Sequence, residues 1–315
     1  MKGIKIAILT IVTALAALNA SAQSDAYFSH YFDMQTQFNP AAAGKDAKLN
    51  ISGAYAMSFA GYENAPQTGY ISGDMPFATR KIIHGVGLQL MSDKFGLFTN
   101  QQIAAQYAMR RRAGKKGWIS VGVQLGMLNE KFRGSEVEVN DENDPVFSSK
   151  TDVSGAAFDL GFGVYYQRKN WYVGISGQHL TYPTILLGEK SELKVNGVYY
   201  VTGGMDFQLR NPTLKIATSA LVRSDFTASR ADITGRLIYT HEKRRLYAGI
   251  GYSPTNSVTV LIGATFHGIQ LGYSYELYTN GVGFKNGSHE LCVGYQMDVN
   301  LGKKGKNRHQ TTRTL

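Results

Sequence analysis

Apolar and polar residues alternate along most of this chain, in about fourteen segments of roughly ten residues each. One segment shows the pattern clearly, because Ile119, Val121 and Val123 are separated by Ser120 and Gly122. A period of two places successive side chains on opposite faces of a β-strand. A tilted strand needs about ten residues to cross a bilayer. The pattern therefore predicts strands that cross a membrane and present one apolar face to it.

The predicted strands cover residues 48–59, 67–76, 82–93, 99–110, 116–128, 154–167, 170–180, 195–209, 212–223, 231–241, 244–253, 257–266, 267–277 and 288–299. The connections between them are predicted to be alternately very short and long, which is typical of bacterial outer-membrane barrels with short periplasmic turns and longer extracellular loops. An even number of strands returns both ends to one side. We therefore predict an all-β fold, a transmembrane antiparallel β-barrel of about 14 strands in the outer membrane, with both termini in the periplasm.

The predicted barrel spans residues 48–299 and leaves three flanking segments. Residues 1–22 have the order of a secretory signal peptide, with lysines before an apolar run and small residues at its end. Residues 23–47 are richer in aromatic side chains than disordered tails are, and we predict that they pack at the barrel mouth or on a partner. Residues 300–315 are predicted to form a basic periplasmic tail.

Basic residues of this chain, whose formal net charge is +10, are concentrated in the predicted short turns and the tail. Because short turns share one rim of a barrel, we interpret them as a periplasmic docking surface for an acidic partner. The alternative interpretation is that these charges are simply solvated in exposed turns and bind no partner. The candidate partner-binding residues are Arg110, Arg111, Arg112, Lys115, Lys116, Arg168, Lys169, Lys243, Arg244 and Arg245. The acidic run 140–144 is predicted to lie on the opposite, outer face.

Strand phase predicts which side chains meet lipid and which face the lumen. Arg in place of Val123 or Leu271, near mid-bilayer, should cost roughly 2 to 4 kcal/mol, whereas Arg at Gln124 or Gln270 should be tolerated much better. The single cysteine, Cys292, is predicted to face inward. The charged residues predicted to face the lumen are Asp74, Asp159, Asp206, Lys215, Arg223, Asp232, Arg236, Glu276 and Asp298. Their mixed signs favour pairing across the interior over an ion-selective pore.

Sequence motifs for catalysis are absent: there is no Walker loop, no G-x-S-x-G and no H-E-x-x-H. The seven histidines show no ligand spacing, so we predict no metal site, no cofactor and no catalytic residue. A nucleic-acid partner is not expected despite the basic charge, because the chain is predicted to be exported and its charges lie in turns.

Four sequence blocks resemble a known family. The blocks YFSHYF and FNPAAAG, at 27–32 and 38–44, resemble the "FSQY…NPAYAG" start of the PorP/SprF family. The block WYVGISGQHL at 171–180 is similar to the family's "WYxGxSxxHL", and GSHEL at 287–291 continues the match. The motif residues that we single out are Asn39, Pro40, Ala41, Gly44, His179, His289 and Glu290.

The resemblance implies an outer-membrane component of type IX protein secretion and of the related gliding machinery. It also implies partners in the periplasmic ring or among peptidoglycan-associated components, or else surface-exposed secreted substrates. It brings no catalytic residues, so we expect the motifs to be structural, with Asn39 and Pro40 setting a turn.

A non-enzymatic barrel that docks secretion components is our leading hypothesis. The alternative is a passive diffusion channel for small solutes, which conductance in planar bilayers would distinguish because an occluded barrel conducts no ions. An outer-membrane hydrolase would require a Ser/His or Asp/His set at the outer rim, and the sequence supplies none that we can assemble.

Overall fold

Fourteen antiparallel strands close into one barrel in the described part of the chain. The structure is a computed structural model that describes residues 26–79, 82–137, 151–188, 191–279 and 286–299. The predicted signal peptide, Arg80, Lys81, the acidic run at 140–144 and the basic tail lie outside these residues.

The strands follow one another around the barrel in chain order, with one interruption. Their bounds are β1 (Lys48–Met57), β2 (Gln67–Thr79), β3 (Ile82–Phe95), β4 (Phe98–Ala113), β5 (Gly117–Phe132), β6 (Val153–Gln167), β7 (Trp171–Gln178), β8 (Thr184–Leu187), β9 (Ser191–Lys194), β10 (Val198–Gln208), β11 (Leu214–Ser224), β12 (Ser229–His241), β13 (Arg244–Ser253), β14 (Ser257–Phe266), β15 (Ile269–Tyr278) and β16 (Ser288–Asp298). β7 pairs with β10, and β1 closes the barrel on β16. The predicted fold of about 14 membrane strands is confirmed.

Helical structure is confined to short pieces in the described residues. The helix α1 (Gln35–Phe38) and a 3-10 helix at Pro40–Ala42 precede the barrel, and a second 3-10 helix lies at Gly134–Glu136. None of the described helices is long and apolar enough to cross a membrane.

A short hairpin of β8 and β9 was not predicted and stays outside the barrel sheet. Its strands have four residues each, too few to cross a bilayer. Ile185 and Leu187 of β8 are buried against Leu128 and Ala157, which lie on the inner faces of β5 and β6. The hairpin therefore folds over the inner wall at one mouth of the barrel.

The two ends of the barrel carry different connections. We call one end the short-turn rim; it carries the ends of the barrel strands at Lys48, Thr79, Ile82 and Asp298, and the connections 114–116, 168–170, 209–213, 242–243 and 267–268. The long-loop rim carries the connections 58–66, 96–97, 225–228 and 254–256, and the described residues 133–137, 151–152, 179–188, 191–197, 279 and 286–287. Three of these, at 96–97, 225–228 and 254–256, are also short, so the predicted strict alternation of short and long connections is wrong for part of the barrel.

Strand phase is confirmed by burial. Val123 and Leu271 are 40 % and 53 % exposed on the outer surface. Gln124, the residue after Val123, is fully buried inside the barrel. Gln124 accepts hydrogen bonds from Gln89 and Gln106, at 3.1 and 2.8 Å. The interior at this level is closely packed, so Arg at Gln124 would displace these neighbours, and its better tolerance there than at Val123 stays a prediction.

Depth along the strand sets the cost of a charge on the outer face. Val123 lies near the middle of β5, but Leu271 is the third residue of β15 and lies near the short-turn rim, so the mid-bilayer placement of Leu271 is wrong. We expect Val123→Arg to lower the free energy of unfolding by about 2 to 4 kcal/mol and Leu271→Arg by about 0 to 1 kcal/mol. Denaturant titration in lipid vesicles measures both, and equal losses would contradict the depth assignment.

Candidate functional site

Residues 26–47, which we call the lumen segment, lie inside the barrel. The Tyr31 hydroxyl donates to Thr234 on β12 at 3.1 Å, and the Asn39 amide donates to the carbonyl of Val164 on β6 at 3.1 Å. Most residues between 28 and 43 are buried. β12 and β6 are four strands apart around the closed barrel, and a segment that contacts both through inward-facing groups lies within the lumen.

Glycines on the inner wall let the lumen segment approach the strands closely. A Cβ at Gly122 would lie 2.4 Å from the backbone nitrogen of Ala41, and one at Gly85 would lie 2.0 Å from the carbonyl oxygen of Ala43. Both distances are much shorter than a van der Waals contact, so a residue larger than glycine at either position would displace the segment. The inner wall is therefore shaped to hold residues 40–44.

Apolar side chains of the segment form the core of the barrel. Phe38 packs with Tyr200, Leu221 and Leu261, which are inward-facing residues of β10, β11 and β14. Phe28 and Met34 pack in a second cluster that includes Tyr70 of β2. Burying one such side chain stabilises a fold by about 1.5 to 3 kcal/mol, so the segment contributes to stability as well as filling the lumen.

The carboxylate of Glu290 on β16 anchors the start of the segment. It accepts hydrogen bonds from the backbone N–H groups of Ser29 and His30, at 2.5 and 3.0 Å, and from the thiol of Cys292 at 3.2 Å. His30 Nδ1 lies 2.6 Å from the same carboxylate, and both side chains are at least 95 % buried. Glu290 thus replaces the water that these donors would otherwise bind.

His30, Glu290 and Cys292 bring three potential metal-ligand atoms within 4.8 Å of one another. Their grouping has no signature in the spacing of the sequence, because more than 250 residues separate His30 from Glu290. Glu290 already accepts hydrogen bonds from all the groups named above, and we therefore assign the cluster to holding the lumen segment.

The family-motif residues fall into three places. Asn39 caps the 3-10 helix through its side chain, which accepts from Ala41 N at 2.9 Å, and Gly44 N donates to Asp74 at 2.8 Å. Pro40 and Ala41 lie between them, buried on the inner wall. His179 and Asp159 form a buried pair 3.1 Å apart. His289 faces outward and hydrogen-bonds Tyr273 at 2.8 Å, apart from its neighbour Glu290.

Charged side chains in the lumen are mostly paired, as predicted. Arg230, which the sequence analysis did not include, contacts Asp232 at 2.9 Å and Glu276 at 2.8 Å. Lys215 contacts Asp206 at 2.7 Å. Asp298 differs from the prediction, because it ends β16 at the rim and its side chain is 91 % exposed. The mixed signs therefore compensate one another instead of lining an open pore.

The predicted partner-binding residues all lie at the short-turn rim, but on different faces of it. β4 extends to Ala113, so Arg111 and Arg112 belong to the strand end, as Arg110 does, and not to a turn as predicted. Arg110 and Arg112 lie over the ring of Trp118, at 4.9 and 5.1 Å, on the inner side. Arg244 lies over Phe266 at 5.3 Å on the outer side. The turn residues are Lys115, Lys116, Arg168, Lys169 and Lys243.

A cavity of about 470 Å³, which we call the rim cavity, opens at the short-turn rim. Phe32, Asp33 and Gln35 of the lumen segment line it, together with seven basic side chains and two further acidic ones. The seven basic residues are Lys45, Lys48, Arg168, Lys169, Lys215, Arg236 and Arg245. Lys45 lies 2.6 Å from Asp46 and holds the pKa of that carboxyl below its usual range. Asp46 is therefore ionised and compensated by Lys45, and the cavity keeps an excess of positive charge.

Comparison with known proteins agrees with this architecture. A family model described as type IX secretion system membrane protein PorP/SprF matches residues 20–295, and no curated protein matches the chain. The structure described as CymD monoaromatic hydrocarbon channel is 9 % identical with a TM-score of 0.52, over 86 % of this chain and 94 % of that one. A Pseudomonas aeruginosa FadL homologue is 10 % identical with a TM-score of 0.49, over 82 % and 92 %. At such identities the likeness concerns the outer-membrane barrel fold alone.

Proposed function

Because this chain belongs to the PorP/SprF family of type IX secretion system membrane proteins, we propose that it docks other components of that machinery at the outer membrane. In this proposal the barrel is a non-enzymatic scaffold whose short-turn rim, where the barrel strands begin at Lys48 and end at Asp298, faces the periplasm. Its partner belongs to the periplasmic ring or to the peptidoglycan-associated components.

The observation that carries the proposal is the occupied lumen. The lumen segment packs against strands around the circumference, and the β8–β9 hairpin covers part of the inner wall near the long-loop rim. A passive channel needs a continuous polar path, and a packed apolar core favours a scaffold over that alternative. Docking of surface-exposed secreted substrates would use the long-loop rim, which lacks a comparable cluster of basic residues among its described connections.

The basic short-turn rim supports a periplasmic, acidic partner. The clustered positive charges there would accelerate encounter through long-range attraction, and the two arginines on Trp118 are held in place by stacking. Charges at an exposed rim contribute little to stability, about 0 to 1 kcal/mol for an exposed pair. Docking and folding should therefore respond separately to substitution.

Replacing Arg111, Lys115, Lys116 and Lys243 together by Gln should leave the barrel in the outer membrane and weaken its association with periplasmic components, mainly through the on-rate. Affinity purification of the tagged protein from its own outer membrane, followed by quantification of co-purified components, measures the effect.

The matched control changes Lys94, Lys131 and Lys194, near the long-loop rim, to Gln. It should keep wild-type co-purification. Unchanged co-purification and secretion by the short-turn variant, or equal losses in the two variants, would count against docking through this rim.

A further inference from the structure

Arg236 places a positive charge deep in the barrel and forms no ion pair with a described residue. Its side chain on β12 is 8 % exposed, and its guanidinium lies 3.3 Å from the ring centroid of Phe32 in the lumen segment. No described residue forms an ion pair with it, and its Nε donates to no described acceptor. Asp33, which lines the same cavity, attracts the guanidinium without forming an ion pair with it. This buried arginine therefore keeps hydrogen-bonding capacity for an anion that reaches it from outside.

Arg245 continues this positive path towards the rim. It lies on β13 opposite Thr240, four residues nearer the rim than Arg236 along β12, which is about 13 Å of strand. It is half-buried, its Nε also has no acceptor among the described residues, and both arginines line the rim cavity. Two guanidinium groups therefore face one cavity at two depths.

The position of the cavity decides the class of anion. It lies within the strand ring, so phosphates of lipids around the barrel do not face it, and its volume falls in the range of about 300 to 1,000 Å³ that is usual for ligand sites. Trp171, Tyr172 and Phe32 add aromatic surface to the basic lining. Planar guanidinium groups bind carboxylates through paired hydrogen bonds. This combination fits an extended peptide with carboxylate side chains.

We infer that the rim cavity binds a carboxylate-rich peptide segment of a periplasmic partner, with one carboxylate on Arg236 and another on Arg245. This inference rests on the proposed docking function and names the chemistry of the docked segment. The lumen segment takes part, because Phe32 forms one wall and holds Arg236 in position.

Binding can be measured on the full chain in detergent micelles, with a fluorescein-labelled tetraglutamate peptide followed by anisotropy. We expect Arg236→Gln and Arg245→Gln each to weaken binding at least tenfold. Arg210→Gln removes the same charge from an exposed connection at the same rim but outside the cavity, and it should change binding less than twofold. Arg236→Gln also loses the contact with Phe32, so Arg245→Gln provides an independent variant at a less buried position.

Equal weakening by the cavity and control variants would overturn the inference, because the peptide would then bind the rim charge in general. Inorganic phosphate is the second probe. Competition by phosphate at the same concentration as the peptide would also overturn it, in favour of a simple anion site.

Co-purification separates this inference from the docking proposal. Loss of partners in Arg236→Gln and Arg245→Gln supports both. Loss only in the variant of Arg111, Lys115, Lys116 and Lys243 overturns the inference and keeps docking. Retention of partners in all variants overturns both.

Discussion

Replacing Glu290 by Ala should lower the free energy of unfolding by about 3 to 5 kcal/mol, because each buried donor left without an acceptor costs about 1 to 3 kcal/mol. The substitution leaves the backbone N–H groups of Ser29 and His30, and the His30 ring, without their acceptor inside the barrel. Denaturant titration of the folded barrel measures the loss, and proteolysis near Phe28 should become faster because the start of the lumen segment is released.

His289→Ala is the matched control, since it changes the next residue on the same strand. His289 faces outward and hydrogen-bonds Tyr273 only at the exposed surface. We expect a loss below about 1 kcal/mol for this variant, in line with a surface substitution. Similar losses for the two variants would show that Glu290 has no special role in holding the segment.

Serine at Phe28, Phe32 and Phe38 together should turn a non-conducting barrel into a conducting one. Each change removes apolar burial worth about 1.5 to 3 kcal/mol, so the lumen segment would no longer be held between the opposite walls. Single-channel recording in planar bilayers should show no steps for the wild-type protein and discrete steps for the variant. A folded-barrel mobility shift on unboiled gels confirms that the variant still forms the barrel.

Phe226→Ser controls for the chemistry of this change, because Phe226 lies in the connection 225–228 and is 82 % exposed. It should remain non-conducting. Steady conductance by the wild-type protein would instead support the passive diffusion channel that we consider the alternative.

The strands could be predicted from the sequence because lipid imposes a simple rule on their outer face. Val121, Val123 and Leu125 are exposed on β5 while Ser120 and Gln124 are buried, and this two-residue period is visible without any structure. The strand ends were harder, since β4 and β5 extend past the apolar pattern with residues such as Arg112 and Lys131. Polar residues beyond the bilayer carry no periodic signal.

The contents of the lumen could not be predicted in detail, because they depend on contacts between distant parts of the chain. Glu290 meets His30 only when the barrel closes, and β8 is buried only when it reaches Leu128 on β5. A signal was nevertheless present. Inward positions that a water-filled barrel would give to polar side chains carry Gly122, Leu221 and Leu261 instead, and such residues indicate a packed interior.

The closing seam of the barrel has a consequence for how the protein is assembled. β1 follows directly on the lumen segment, and it pairs along its whole length with β16, which also carries Glu290. The start of the segment, at Ser29 and His30, can therefore be fixed only after the last strand has arrived, and contacts of such large sequence separation form slowly. Closure of the barrel and occupation of its interior are therefore coupled in one late step of biogenesis. A chain that lacks its final strand would lose both the pairing of β1 with β16 and the carboxylate of Glu290.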